Sequence, residues 1–98
     1  MIQKIKVVFE ARANDDSIEM YNTTINALGG ATFDHEKGTI SIGGSMITAQ
    51  VLVIGGSGNS SGETTIGGNT EVGSENARMR TTGNAQVKIK GNASIRFS

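Results

Sequence analysis

Five cations near the end of the chain, Arg78, Arg80, Lys88, Lys90 and Arg96, come closest by type and spacing to a binding surface. They alternate with Ala77, Met79, Val87, Ile89, Ile95 and Phe97, and successive side chains of an extended strand point to opposite faces. Strands of this kind laid side by side would be apolar on one face and basic on the other. Regularly spaced Lys and Arg can follow phosphates or an acidic protein. Sheet-based readers of nucleic acid usually add aromatic rings on which bases stack, and no ring alternates with these cations. The plainer alternative is a solvated outer face whose lysines also guard strand edges.

Other sites fall short at named positions. VLVIGGSGNSSG, residues 51–62, has the look of a strand running into a dinucleotide-binding turn, but G-x-G-x-x-G from Gly56 and Gly58 needs glycine at Ser61, and no helix-forming run follows. A phosphate loop would need Gly-Lys-Ser/Thr, which is missing. Gly55–Gly58 opens like a calcium-binding nonapeptide, yet Ser60 stands where the ligating aspartate belongs. His35, between Asp34 and Glu36, reads as solvated loop chemistry, and Asp15–Asp16 read as helix-cap residues. Hydroxyls abound, but with one histidine no nucleophile, base and orienting acid assemble. The expectation is no catalytic residue, no metal site and no cofactor: a protein that is not an enzyme.

These residues must be held by a chain of 98 residues, enough for one domain with a small core. Its apolar fraction is 36%, and its 14 glycines stand beside no proline, tryptophan or cysteine. The lack of cysteine removes disulfides and thiolate metal sites and suits a reducing compartment. No apolar stretch approaches the length of a membrane helix, and no export signal is visible, so the expected location is cytoplasmic, or host cytoplasm for a phage product. Sequons at Asn22, Asn59 and Asn92 are chance products of an Asn-, Ser- and Thr-rich chain. Charge is segregated: residues 55–76 hold Glu63, Glu71 and Glu75 and no base, and residues 77–98 hold the five cations and no acid. The two segments are complementary, within one molecule or between copies.

Alternation at Ile5, Val7 and Phe9 predicts a strand over residues 2–11. The cap-like Asn14–Ser17, followed by Ile18, Tyr21, Ile25 and Leu28 before Gly29–Gly30, predicts a short helix near 16–28. Two β-prone runs around Asp34–Gly38 predict a hairpin over 31–42. Thereafter Ile-Gly-Gly recurs at Ile42, Ile54 and Ile66, twelve residues apart, and short internal repeats point to repetitive architectures. Each Gly-Gly fits a hairpin turn of an antiparallel meander or a corner of a solenoid. The fold class expected is mostly β, solenoid or meander, in a single domain with 1–38 as a strand, helix and hairpin cap and 39–98 as the glycine-rich repeat.

TTIGGNTEVGS and KIKGNASIRFS resemble rung sequences of small bacterial β-solenoids of the bactofilin type, a likeness covering residues 39–98. The resemblance implies self-assembly into filaments without nucleotide. The leading expectation is accordingly a structural protein that self-associates by sheet pairing or solenoid stacking into a homo-oligomer, with Val51, Val53, Ile54, Val87, Ile89, Ile95 and Phe97 as packing residues. Two others stand beside it. One is a small binding module, of the phage or mobile-element inhibitor kind, that grips nucleic acid or an acidic protein through Arg78, Arg80, Lys88, Lys90 and Arg96. The other is a virion or tail component.

Overall fold

The computed structural model describes residues 6–27, 29–56, 61–74, 76–81, 83, 86–90 and 94–97. Among these residues twelve strands form: β1 (Lys6–Glu10), β2 (Ser17–Tyr21), β3 (Thr24–Ala27), β4 (Gly30–Asp34), β5 (Thr39–Gly43), β6 (Met46–Ala49), β7 (Leu52–Gly55), β8 (Glu63–Gly67), β9 (Thr70–Gly73), β10 (Arg78–Thr81), β11 (Gln86–Lys90) and β12 (Ser94–Phe97). They form three four-stranded sheets, in the orders β1-β4-β7-β12, β2-β5-β8-β11 and β3-β6-β9-β10. The chain visits the sheets in turn, so β1–β3, β4–β6 and β7–β9 are three successive rungs of a solenoid, paired in parallel. The shortest principal extent, 19 Å, matches four strands stacked at about 4.8 Å.

The fourth rung runs backwards. After β9 the chain turns within its own sheet, and β10, β11 and β12 pair antiparallel to β9, β8 and β7. The reversal is made by a tight turn in which the Ser74 amide donates to the Ala77 carbonyl at 2.8 Å, while Ser74 Oγ accepts from the amides of Asn76 and Ala77. Gly73 permits it: a Cβ there would sit 2.3 Å from the Ala77 carbonyl oxygen.

Alternation decides which residues face inward. Phe9, Phe33, Ile54 and Ile95 lie in register across the first sheet, with the rings of Phe9 and Phe33 stacked at 4.9 Å. Met20, Ile42, Ile66 and Val87 do the same in the second sheet, and Ile25, Ile47, Val72 and Met79 in the third. Stacking like on like along the axis gives each apolar side chain neighbours above and below, and one core joins all three inner faces.

Three expectations are corrected. No helix occurs among the described residues; the segment near 16–28 forms β2 and β3. The helical spacing of Ile18, Tyr21 and Ile25 is coincidental, because the inward residues are Ile18 with Met20 and Ile25 with Ala27, each two apart, while Tyr21 is exposed. Neighbouring rungs satisfy the backbone there, which overrides weak local preference. The runs at 31–42 form no hairpin: β4 and β5 belong to different sheets, and each finds its partners one rung away. The twelve-residue spacing is not the period either, since stacked residues lie from 21 apart, Ala31 to Leu52, to 25 apart, Ile47 to Val72. Ile42 and Ile66 do stack, but Ile54 lies on another sheet.

The corner between the second and third sheets shows why the Ile-Gly-Gly copies look alike. Asn22, Gly44 and Gly68 occupy it on successive rungs with φ of 52°, 57° and 65°, a left-handed turn that Gly and Asn adopt most readily. Just past it lies a ladder of hydroxyls. The side chains of Thr23, Ser45, Thr70 and Thr81 donate to the carbonyls of Tyr21, Gly43, Gly67 and Gly68. The amides of Thr23, Ser45 and Thr70 donate in turn to the hydroxyls of Ser45, Thr70 and Thr81. Ser45, Thr70 and Thr81 are buried, so this ladder replaces backbone pairing where the chain bends.

Candidate functional site

The five candidate cations do not share one sheet face. Arg78 and Arg80 lie on β10, Lys88 and Lys90 on β11, and Arg96 on β12, one strand in each sheet. What joins them is the fourth rung, so they form a belt around one end of the solenoid. Their sheet-face expectation fails because β10, β11 and β12 belong to three different sheets and do not lie side by side.

Within the belt the cations differ. Glu71 of β9 holds two of them: Arg78 donates to Oε1 at 2.7 Å, and Arg80 donates to Oε2 through Nε at 3.2 Å and through its terminal nitrogen at 2.7 Å. The hydrogen bond from Arg80, with the positive charges of Arg80 and Arg78, holds the Glu71 carboxyl below the usual carboxylate range. Arg78 also reaches Thr48 Oγ1 at 3.3 Å. The charge complementarity of the two C-terminal segments is thus met within one molecule at this point. Lys90 is the register partner of Glu63 on β8. Lys88 and Arg96 are exposed; Lys88 ends the outward row Glu19–Ser41–Thr65–Lys88, and Arg96 ends Val8–Thr32–Val53–Arg96.

The feature that sequence reading missed lies inside the same rung and its counterpart at the other end. Eight half-buried apolar residues pack against the core: Val7, Phe9, Ile18 and Ile25, then Met79, Val87, Ile95 and Phe97. The first four belong to the first rung and the last four to the fourth. Among the described residues the core is therefore closed on its sides by three sheets and open at its two ends. β1, β2 and β3 are edge strands at one end and β10, β11 and β12 at the other. An edge strand presents backbone donors and acceptors along one side, a ready template for another strand. A signal was available, since these eight residues alternate in their strands as core residues do, but rung order had to be known to see that no described strand stacks beyond them.

The remaining candidates are structural. His35 lies in the connection between β4 and β5 but is fully buried rather than solvated, its Nδ1 joined to Thr64 Oγ1 at 2.7 Å. The alternation of Ala31 and Phe33 simply carries on past β4, and Asp34, between Phe33 and His35, is turned outward. Asp16 caps no helix; its Oδ2 accepts from the Ala13 amide at 3.0 Å and closes the turn between β1 and β2. Ser57–Ser60, which include the position where the calcium pattern fails, lie outside the described residues; Ser61, where the dinucleotide pattern fails, is exposed, and its amide donates to the Glu36 carbonyl at 2.8 Å. Among the described residues no three His, Cys, Asp or Glu side chains cluster as metal ligands, and no helix is long and apolar enough to cross a membrane. A shallow groove of about 580 Å³ runs beside the Asn22–Gly44–Gly68 corner, lined by Tyr21, Ser41, Thr65 and Gln86 and without a charged side chain. No family model, curated protein or solved structure matches the chain.

Proposed function

We propose that this chain is a structural protein that self-associates by continuing its own solenoid, the end rung of one copy pairing with the end rung of another. The observation that carries this reading is the confinement of the half-buried core residues to the two end rungs, where three open strand edges surround them. Pairing there would satisfy edge amides and carbonyls and cover apolar side chains in one step, the two contributions that hold the rungs together inside the molecule. Size-exclusion chromatography with light scattering at low and moderate salt tests it. Apolar contact and backbone pairing resist salt, so an oligomer that persists at moderate salt is the expected result, and a monomer at every concentration would overturn the proposal.

A second reading rests on the exposed Lys88 and Arg96 of a rung whose segment, 77–98, has no acid. In it the belt grips nucleic acid or an acidic protein. Such binding weakens steeply as salt rises, and nucleic-acid absorbance followed in the same chromatography reports it. The reading fails if Lys88→Glu together with Lys90→Glu leaves every interaction intact.

A further inference from the structure

We infer that the joint between copies is polar, the fourth rung of one receiving the first rung of the next with Lys88 set against the neighbour's Glu19. This rests on the self-association reading and says which ends meet and in what register. The argument begins with strand direction. The fourth rung runs opposite to the other three, so its free edge can take a first rung antiparallel, the relation its inner edge already has to the third rung. Extending the existing rows across the joint therefore needs no new backbone geometry. The inward rows then close like on like: Ile89 meets Ile18, Val87 meets Met20, Met79 meets Ile25 and Ile95 meets Phe9. On the outward face of the second sheet the row Glu19–Ser41–Thr65–Lys88 has opposite charges at its two ends, so a stacked copy brings them together.

Charge also selects among the pairings. Residues 77–98 hold five cations and no acid, and Glu71 engages Arg78 and Arg80 among them. Two fourth rungs face to face would oppose like charges. Residues 6–27 hold Glu10, Asp15, Asp16 and Glu19 against Lys6 and Arg12, a balance complementary to the fourth rung. Joining first rung to first rung would leave the cationic rung and its four half-buried apolar residues uncovered. Only the mixed joint covers both ends.

The absence of cysteine makes the polarity directly measurable. Tyr21 and Gln86 are exposed and end a neighbouring outward row, Tyr21–Gly43–Gly67–Gln86, so the inferred register sets them opposite each other across the joint. Tyr21→Cys and Gln86→Cys are prepared separately, mixed in equal amounts, and treated with a short thiol cross-linker. A covalent dimer joining one variant to the other, absent from either variant alone, is the expected result. Cross-linking within one variant, or no mixed product in a solution that light scattering shows to be assembled, overturns the polar joint and leaves self-association standing. Monomers throughout, for the unaltered chain as well, overturn both. The charge pair has its own test: Glu19→Lys is expected to weaken association roughly threefold at low salt, with Lys88→Glu in the same chain restoring it. Failure to restore would remove Lys88 and Glu19 from the register.

Discussion

Thr70→Val is the most searching test of how the rungs are held at their corners. Thr70 is 1% exposed, its hydroxyl donates to the Gly67 carbonyl at 2.5 Å, and it accepts from the Ser45 amide at 3.4 Å. Valine keeps the shape and removes both partners, leaving a buried carbonyl and a buried amide facing a methyl group. The first bond is short and the second long, so most of the loss comes from the carbonyl. Stranding a buried polar group costs about 1–3 kcal/mol, and about 2 kcal/mol is the expected total. In a chain of this size that lowers the thermal midpoint by roughly 8–16 °C. Thr23→Val supplies the control, because Thr23 has the same place in the first rung but is only half-buried, and water can replace its hydroxyl; about 0.5 kcal/mol is expected there. Urea unfolding followed by far-ultraviolet circular dichroism measures both, at several protein concentrations so that association does not enter the comparison. Equal losses for the two variants, or a Thr70→Val loss within about 0.3 kcal/mol of zero, would refute the claim that the hydroxyl ladder substitutes for backbone pairing at the corner.

Three further outcomes are expected. Phe33→Ala, at a fully buried ring, costs about 3–5 kcal/mol, and Phe9→Ala, at the half-buried ring stacked on it, costs less; equal values in denaturant titrations would contradict an open first rung. Gly73→Ala drives a Cβ against the Ala77 carbonyl and the Arg78 backbone, so a loss of more than about 2 kcal/mol is expected; a hydrogen-exchange map should place the lost protection in β10, and an unchanged map would count against the reversal being set at that glycine. Because Glu71 is held below the usual carboxylate range by Arg80 and Arg78, its contribution is present above the unfolded-state value and is lost as pH falls through the lowered folded value; Glu71→Gln should flatten that part of the pH–stability curve, and an unchanged acid limb would exclude the clasp as its source.

Much of the fold was legible in the residues. Val7 with Phe9, Val87 with Ile89 and Ile95 with Phe97 announce strands by strict alternation, and glycines two or more at a time announce bends. The charge split between Glu71 and the arginines that follow it was visible as well. What local pattern could not supply was which strand lies beside which. Ile18, Tyr21 and Ile25 suit a helix and a bent pair of strands almost equally, and only the rung above, through Ile40 and Ile47, makes the strand reading pay. His35 is one residue past β4, where nothing local says whether alternation continues; its burial depends on Thr64, 29 residues away.

The candidate site divides the same way. Sequence alone determined that 77–98 would be cationic, that its strands would have one apolar face, and that metal or thiol chemistry had few residues to draw on, because those properties belong to side chains and to a two-residue period. The tertiary structure decided that the cations form a belt on one rung, that Arg78 and Arg80 are engaged by Glu71, and that the core opens at both ends. Those outcomes depend on register between residues 21 to 25 apart and on one reversal at Gly73. Apart from the β9–β10 turn, this solenoid pairs its strands with distant ones, and so the order of its rungs, and what its ends leave uncovered, is settled only when the chain has closed on itself.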